Sequence, residues 1–185
     1  MREEERRDGD PSDLELVQAG RSGDEAALGM LVRRHHAAAF RVAVSLVKQD
    51  DLAQDVVQDA FMKAFRALDG FRGDAAFRTW LLTITANEAR GALRRQGRRR
   101  ETALEDAGPV ESGEMSPASA AIVADEAGRA REMLERLPEK QRMSVSLRIE
   151  EGLSFKEIGE IIGSSEGAAR VNYFHGIRRL RELME

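Results

Sequence analysis

The chain has no cysteine, four prolines and an aromatic content of only 5% in 185 residues. Without cysteine there can be no disulfide framework, thiolate metal site or thiol nucleophile. No run of eighteen apolar residues occurs, so no membrane insertion is expected. The opening MREEERRDGD carries charge but no apolar stretch, which is not the pattern of a secretory signal. A soluble, cytoplasmic protein is expected. Histidine is scarce: His35, His36 and His175 are the whole set. Adjacent histidines on a helix point to different faces and make a poor joint metal site. No nucleophile, acid–base pair or phosphate-cradling glycine loop is legible. The expectation is a protein that is not an enzyme, with no catalytic residue, no metal and no cofactor.

What is present is charge and helix-forming residues. Charged side chains make up 34% of the chain, and hydrophobic ones 42%. Long charged side chains with Leu, Ala, Ile and Val favour helix over sheet, so an all-α fold is expected. The net charge of −4 hides a pattern. Residues 1–100 carry 18 basic and 16 acidic side chains, and residues 126–185 carry 11 of each sign. Residues 101–125 carry no Lys or Arg and six acids, together with Pro109, Pro117, Gly108 and Gly113. Such a stretch buries too little surface to offset its ordering entropy. The organisation expected is two small helical domains, 12–97 and 126–185, joined by a flexible acidic linker over 98–125. Just before the acids, Arg90, Arg94, Arg95, Arg98, Arg99 and Arg100 form a dense basic run. It reads either as a solvated helix end or as contact with a polyanion such as DNA.

In the first domain, Ser12 can cap a short helix, and Ser22 with Glu25 reads as a capping box for the next, which runs to about Val47. A third helix begins near Asp51. Its apolar set from Leu52 to Leu68 forms one wide stripe at helical period. On the opposite face Asp55, Gln58, Asp59, Met62 and Arg66 make a continuous strip. It is either a solvated face or a docking surface whose carboxylates and amide bond Arg and Gln side chains of a partner helix. Gly70 and Gly73 mark a loop containing Phe71 and Arg72, and a further helix runs from Phe77 to about Arg95. Thr83, Asn87, Arg90 and Arg94 share one side of that helix. Asn87 can read a base edge, and the arginines can hold phosphates. Phe71 and Phe77 can stack on unpaired bases or pack in the core.

In the second domain a helix is expected from about Ala118 to Leu137, and Pro138 opens another. Ser154 and Glu157 form a capping box for a short helix ending at Gly163, and Ser164 or Ser165 caps a last helix to about Leu183. Two helices joined by this tight turn are a helix-turn-helix signature, whose second helix enters the major groove. Arg170, Val171, Phe174 and His175 are then placed to reach bases. Arg148, Arg178 and Arg179 are candidates for phosphate contact, and Ser165 is a further candidate for −35 contact.

Four stretches together resemble the extracytoplasmic-function (ECF) family of bacterial RNA polymerase sigma factors. They are Ala53 to Phe61, Phe71 to Asn87, Leu137 to Arg142, and the helix-turn-helix ending Ile177-Arg178-Arg179-Leu180-Arg181. The resemblance implies that Asp55, Gln58, Asp59 and Met62 dock on a coiled coil of the polymerase's largest subunit. It implies that the Phe71–Ala76 loop and the Asn87 helix recognise the −10 element and help open the duplex. The second domain would read the −35 element and touch the polymerase flap, and an anti-sigma factor would be a further partner. A different organisation of the same residues is a stand-alone helix-turn-helix regulator with the first domain as a dimerisation or sensing module. The strip on the third helix and the Trp80–Asn87 helix are what such a regulator would not need.

Overall fold

A computed structural model describes residues 10–106 and 132–184. Ser12 starts α1 (Asp13–Arg21): its hydroxyl accepts the Glu15 N–H at 3.3 Å while the Glu15 carboxylate takes the Ser12 N–H at 2.6 Å. These are the reciprocal bonds of a capping box, satisfying donors the helix itself cannot. The box expected at Ser22 and Glu25 is not formed. Ser22 instead closes α1, and Asp24 starts α2 (Glu25–Val47) by accepting the Ala26 and Ala27 N–H groups at 2.9 and 3.1 Å. The reason is local. Gly23, at φ +90°, reverses the chain so tightly that the residue in extended conformation next to the helix is Asp24.

Helix α3 (Asp50–Arg66) follows, then a 3-10 turn (Leu68–Gly70) and α4 (Phe77–Asp106). The last runs well past Arg95, where its end was expected. Arg, Gln, Glu, Ala and Leu are good helix formers, and Gly97 alone does not stop them. The rest of the expected linker, and the helix expected from Ala118 as far as residue 131, lie outside the described residues. Residues 132–135 are helical and lead through Leu137 to Pro138. Beyond it stand α5 (Glu139–Ile149), α6 (Phe155–Ile162) and α7 (Glu166–Met184).

Helices α2, α3 and α4 pack pairwise, with α1 across α2; α5, α6 and α7 make a second three-helix unit. In that unit Gly163 ends α6 in the left-handed conformation at φ 64°. A Cβ at Gly159 would stand 2.8 Å from the Ser164 carbonyl oxygen, so the turn into α7 closes only because that side chain is absent. The two units also pack on each other. Helix α6 lies against α4, and α5 against α2. One buried apolar cluster runs from Leu16 and Leu31 through Leu81 and Leu82 to Met143, Leu147, Ile158 and Ile161. Each such side chain contributes about 1.5–3 kcal/mol when removed from water. Among the described residues no helix is long and apolar enough to cross a membrane.

Candidate polymerase and nucleic-acid interfaces

The strip on α3 faces solvent. Asp55, Gln58 and Asp59 are exposed, and Met62 keeps 43% of its surface, while Val56, Val57, Ala60 and Phe61 on the other side are buried. Beside the strip, Lys63 donates to Glu88 of α4 at 2.6 Å, tying the two helices together. The result is an acidic and partly apolar ridge on a helix packed against α2 and α4.

The loop from Phe71 to Ala76 is anchored from α1. The Arg21 guanidinium donates to the Leu68 carbonyl at 2.9 and 3.0 Å and to the Phe71 carbonyl. Arg72 and Asp74 stand exposed 4.0 Å apart. Phe71 and Phe77 are buried. Their rings meet edge-on at 5.8 Å, and each also contacts Trp80, at 5.0 and 5.8 Å. Of the two roles open to them, both occupy the core-packing one in this arrangement and present no open face to a base. His35 joins the same cluster and bonds Asp13 at 2.7 Å. Burial works to raise the Asp13 carboxyl, but the bond and charge of His35, with those of Arg34, outweigh it and hold the group below its ordinary 3.8.

On α4, Asn87 and Arg94 are exposed. Thr83 is half-buried and donates its hydroxyl to the Thr79 carbonyl at 2.9 Å. Arg90 donates to Glu139 of α5 at 3.1 Å. The structure therefore brings these four residues to one helix side, with Thr83 half-buried and Arg90 tied to the second unit.

The second unit's cover over α4 is held by contacts the sequence did not announce. Glu151, whose side chain is 2% exposed, accepts from Arg41 of α2 at 2.5 Å and from Arg78 of α4. Arg142 donates to the Ser45 carbonyl at 2.9 Å. Thr79 donates to Glu157 at 2.9 Å, while the other oxygen of Glu157 caps α6 by accepting from Ser154 N–H and hydroxyl at 2.8 and 2.7 Å. Burial tends to raise the Glu157 carboxyl, but the Ser154 bonds, the Thr79 bond and the Arg78 charge together hold it below its ordinary 4.5. Arg41 and Glu151 lie 110 positions apart, so no local pattern announces them.

The outer side of α7 is open. Val171 and Phe174 are 55% and 61% exposed, and with His175 and Arg178 they line a shallow depression of about 280 Å³. Arg178 bonds the His175 ring at 3.2 Å. Arg170 pairs with Glu166 at 3.1 Å. Two guanidiniums lie over the Phe155 ring, Arg148 at 5.0 Å and Arg170 at 5.2 Å from its centroid, in cation–π contact. Arg148 also donates to the Leu153 carbonyl at 2.7 Å, and Ser165 accepts the Ala168 N–H at 3.1 Å as the cap of α7. The base-facing candidates thus converge on one surface. Arg148 and Arg170 flank it, whereas Ser165 is spent on starting the helix.

Comparison with known proteins agrees with this architecture. Residues 31–99 match Sigma-70 region 2, and residues 127–180 match Sigma-70, region 4. The ECF RNA polymerase sigma-E factor of Escherichia coli is 38% identical over 182 residues, which is 94% of this chain and 93% of that protein. The RNA polymerase sigma-H factor of Pseudomonas aeruginosa is 34% identical over 181 residues, 94% and 92% of the two chains. Among solved structures, CnrH in complex with the cytosolic domain of CnrY superposes with a TM-score of 0.70 at 27% identity, covering 95% of this chain and 97% of that one. The sigma factor RpoE in complex with the anti-sigma factor NepR from Bartonella quintana gives 0.68 at 28% identity, over 84% and 95%. Two helical units of this build, related over nearly their whole length to such proteins, place the chain in the ECF family of RNA polymerase sigma factors, non-enzymatic subunits that bind core polymerase and direct initiation at their promoters.

Proposed function

We propose a division of labour among these surfaces. Asp55, Gln58, Asp59 and Met62 dock on the coiled coil of the polymerase's largest subunit, where exposed carboxylates meet arginines in charge-assisted bonds. Arg72, Asn87 and Arg94 meet the −10 element. Thr83 lies on the same side, Arg90 joins them once the second unit moves off, and Phe71 and Phe77 shape the loop from beneath. Helix α7 enters the major groove of the −35 element. Val171 and Phe174 touch thymine methyl groups, Arg170 reaches a base edge, and Arg148 and Arg178 hold phosphates, while the same unit contacts the flap. The observation that carries this reading is the exposed apolar and basic face of α7, where Val171 and a Phe174 ring 61% exposed stand beside His175 and Arg178.

Promoter engagement separates the two units. Elements named −10 and −35 lie about 25 base pairs apart, roughly 85 Å along B-DNA. Units packed through Glu151 and Leu82 cannot lie on both. Residues 107–131 join them, and a chain of that length reaches roughly 80–90 Å when extended. The packed arrangement is therefore a resting form. Two solved relatives of this fold are complexes, one of them with a protein named as an anti-sigma factor, and this supports a similar partner for this chain. Its place of action is the bacterial cytoplasm, and the chain itself performs no catalysis.

The test is promoter-selective transcription in vitro with added core polymerase. Arg170→Ala is expected to lower output at the target promoter by the worth of one base contact, about 1–3 kcal/mol. Equal loss at every promoter would make Arg170 a phosphate contact instead. No selective initiation by the unaltered chain would remove the reading altogether.

A further inference from the structure

The six arginines between Arg90 and Arg100 form one basic run in the sequence, but a helix divides them. Arg90, Arg94 and Arg98 stand four apart on one side of α4. Arg95 and Arg99, also four apart, are turned about 100° away, because successive residues of a helix are rotated by that angle. That second side faces α3. Arg95, Gln96 and Arg99 form one wall of a trough of about 320 Å³, and Gln49, Asp55 and Asp59 form the other. Its floor is apolar: Val56 and Ala92 are buried and Leu52 is half-buried.

Two carboxylates and two guanidiniums therefore line one trough, yet among the described residues none of the four makes an ion pair with another. Exposed ion pairs form within about 4 Å, and no carboxylate of one wall comes that close to a guanidinium of the other. Nucleic acid does not fit the space, because Asp55 and Asp59 would face its phosphates. A helix does. A partner helix carrying basic side chains on one flank, acidic ones on the other and small apolar residues between them would satisfy both walls and the floor. Such a two-signed seat also fixes direction and register, since a misplaced helix would set like charges against each other.

We propose that the trough between α3 and α4 is a seat for a helix of core RNA polymerase, with Asp55 and Asp59 holding its basic flank and Arg95 and Arg99 its acidic flank. The proposal rests on the docking role of the α3 strip and extends it to a second wall. It also divides the arginine run between two partners: Arg90, Arg94 and Arg98 are left to the promoter, and Arg95 and Arg99 belong to the polymerase.

The experiment measures affinity of the full-length chain for core polymerase, without DNA, by fluorescence anisotropy, with circular dichroism confirming unchanged helix content. Arg95→Glu is expected to weaken binding about tenfold, equivalent to about 1.4 kcal/mol. Arg33→Glu, the same charge change at an exposed site on α2, is expected to stay within about twofold, as surface changes away from special contacts do. Arg95→Lys should recover most of the loss, because it restores the charge. If Arg95→Glu and Arg99→Glu both bind like the unaltered chain while Asp55→Lys with Asp59→Lys does not, the second wall is overturned and the α3 docking surface stands. If the aspartate variant also binds normally, the docking surface itself falls. If Arg33→Glu weakens binding as much as Arg95→Glu, the effect is one of overall charge and the seat is rejected. Should Arg95→Glu lose helix content, Arg95→Gln with Arg99→Gln carries the same test.

Discussion

Helices α4 and α7 both carry side chains suited to promoter DNA, but they are held very differently. Helix α7 is buried along one side only, with Ala169 and Gly176 against its own unit and Val171, Phe174, His175 and Arg178 outward. Helix α4 is covered on two sides. Trp80, Leu81 and Ile84 belong to the core of the first unit, while Arg78, Thr79, Leu82, Ala86 and Arg90 recur at helical spacing on the side whose polar partners lie in the second unit. Under the proposed assignment, α7 can meet duplex as it stands, whereas α4 makes its full contact only once the second unit has moved off. The difference fits the two tasks: the −35 element is read as intact duplex, whereas the −10 element must also be opened.

The largest expected effect comes from removing the cover's apolar centre. Leu82 is fully buried, and Leu82→Ala should cost about 2–5 kcal/mol, read as earlier unfolding in urea and as a longer distance between fluorophores on the two units. A smaller effect is expected from Glu151→Gln, which keeps the shape but removes the charge that Arg41 and Arg78 share. Hydrogen bonds to charged groups contribute about 1.5–3 kcal/mol, so the same interfluorophore distance should lengthen while helix content holds. An unchanged distance would mean that apolar contact alone keeps α4 covered.

Next in size is Phe174→Ala on the open helix. Because the ring is exposed, stability should move by less than about 0.5 kcal/mol. Binding to −35 promoter duplex by the holoenzyme should nevertheless weaken by about 1–3 kcal/mol. Loss of stability instead would erase the contrast between the two helices. The smallest effect is the pH dependence. Asp13 and Glu157 are held below their ordinary 3.8 and 4.5, so their stabilisation is complete above those values and fades as pH falls through the lower folded-state ones. Thr79→Val removes one of the causes at Glu157 and should shrink the acid-induced loss in thermal stability by about 1 kcal/mol or less.

The contrast between the helices was only partly legible in the sequence. Periodicity and capping residues marked the helices themselves. Ser12 caps where expected, Ser154 with Glu157 forms the expected box, and Gly163 ends α6, while the Glu15 half of the first box emerged only from the structure. Ser22 misled because its motif competes with Asp24, two residues on and nearer the helix. The end of α4 was placed too early because a change in charge pattern resembles a boundary although the backbone propensities continue. Exposure of α7 followed from its pattern, since apolar and basic residues share one side. The cover over α4 did not. A helix buried on two sides loses its amphipathic stripe, and Glu151 within Ile149-Glu150-Glu151-Gly152 looks like any acid in a polar turn. Contacts between distant segments leave no local period, which is why Arg41, Arg78 and Glu151 emerge only from coordinates.

The two oxygens of Glu157 are divided between two duties, one toward Ser154 and one toward Thr79. If the units part, Glu157 itself surrenders a single bond, which water can replace, while the start of α6 keeps its own oxygen. On the proposed reading, the second unit can therefore part from the first with the cap of its α6 intact.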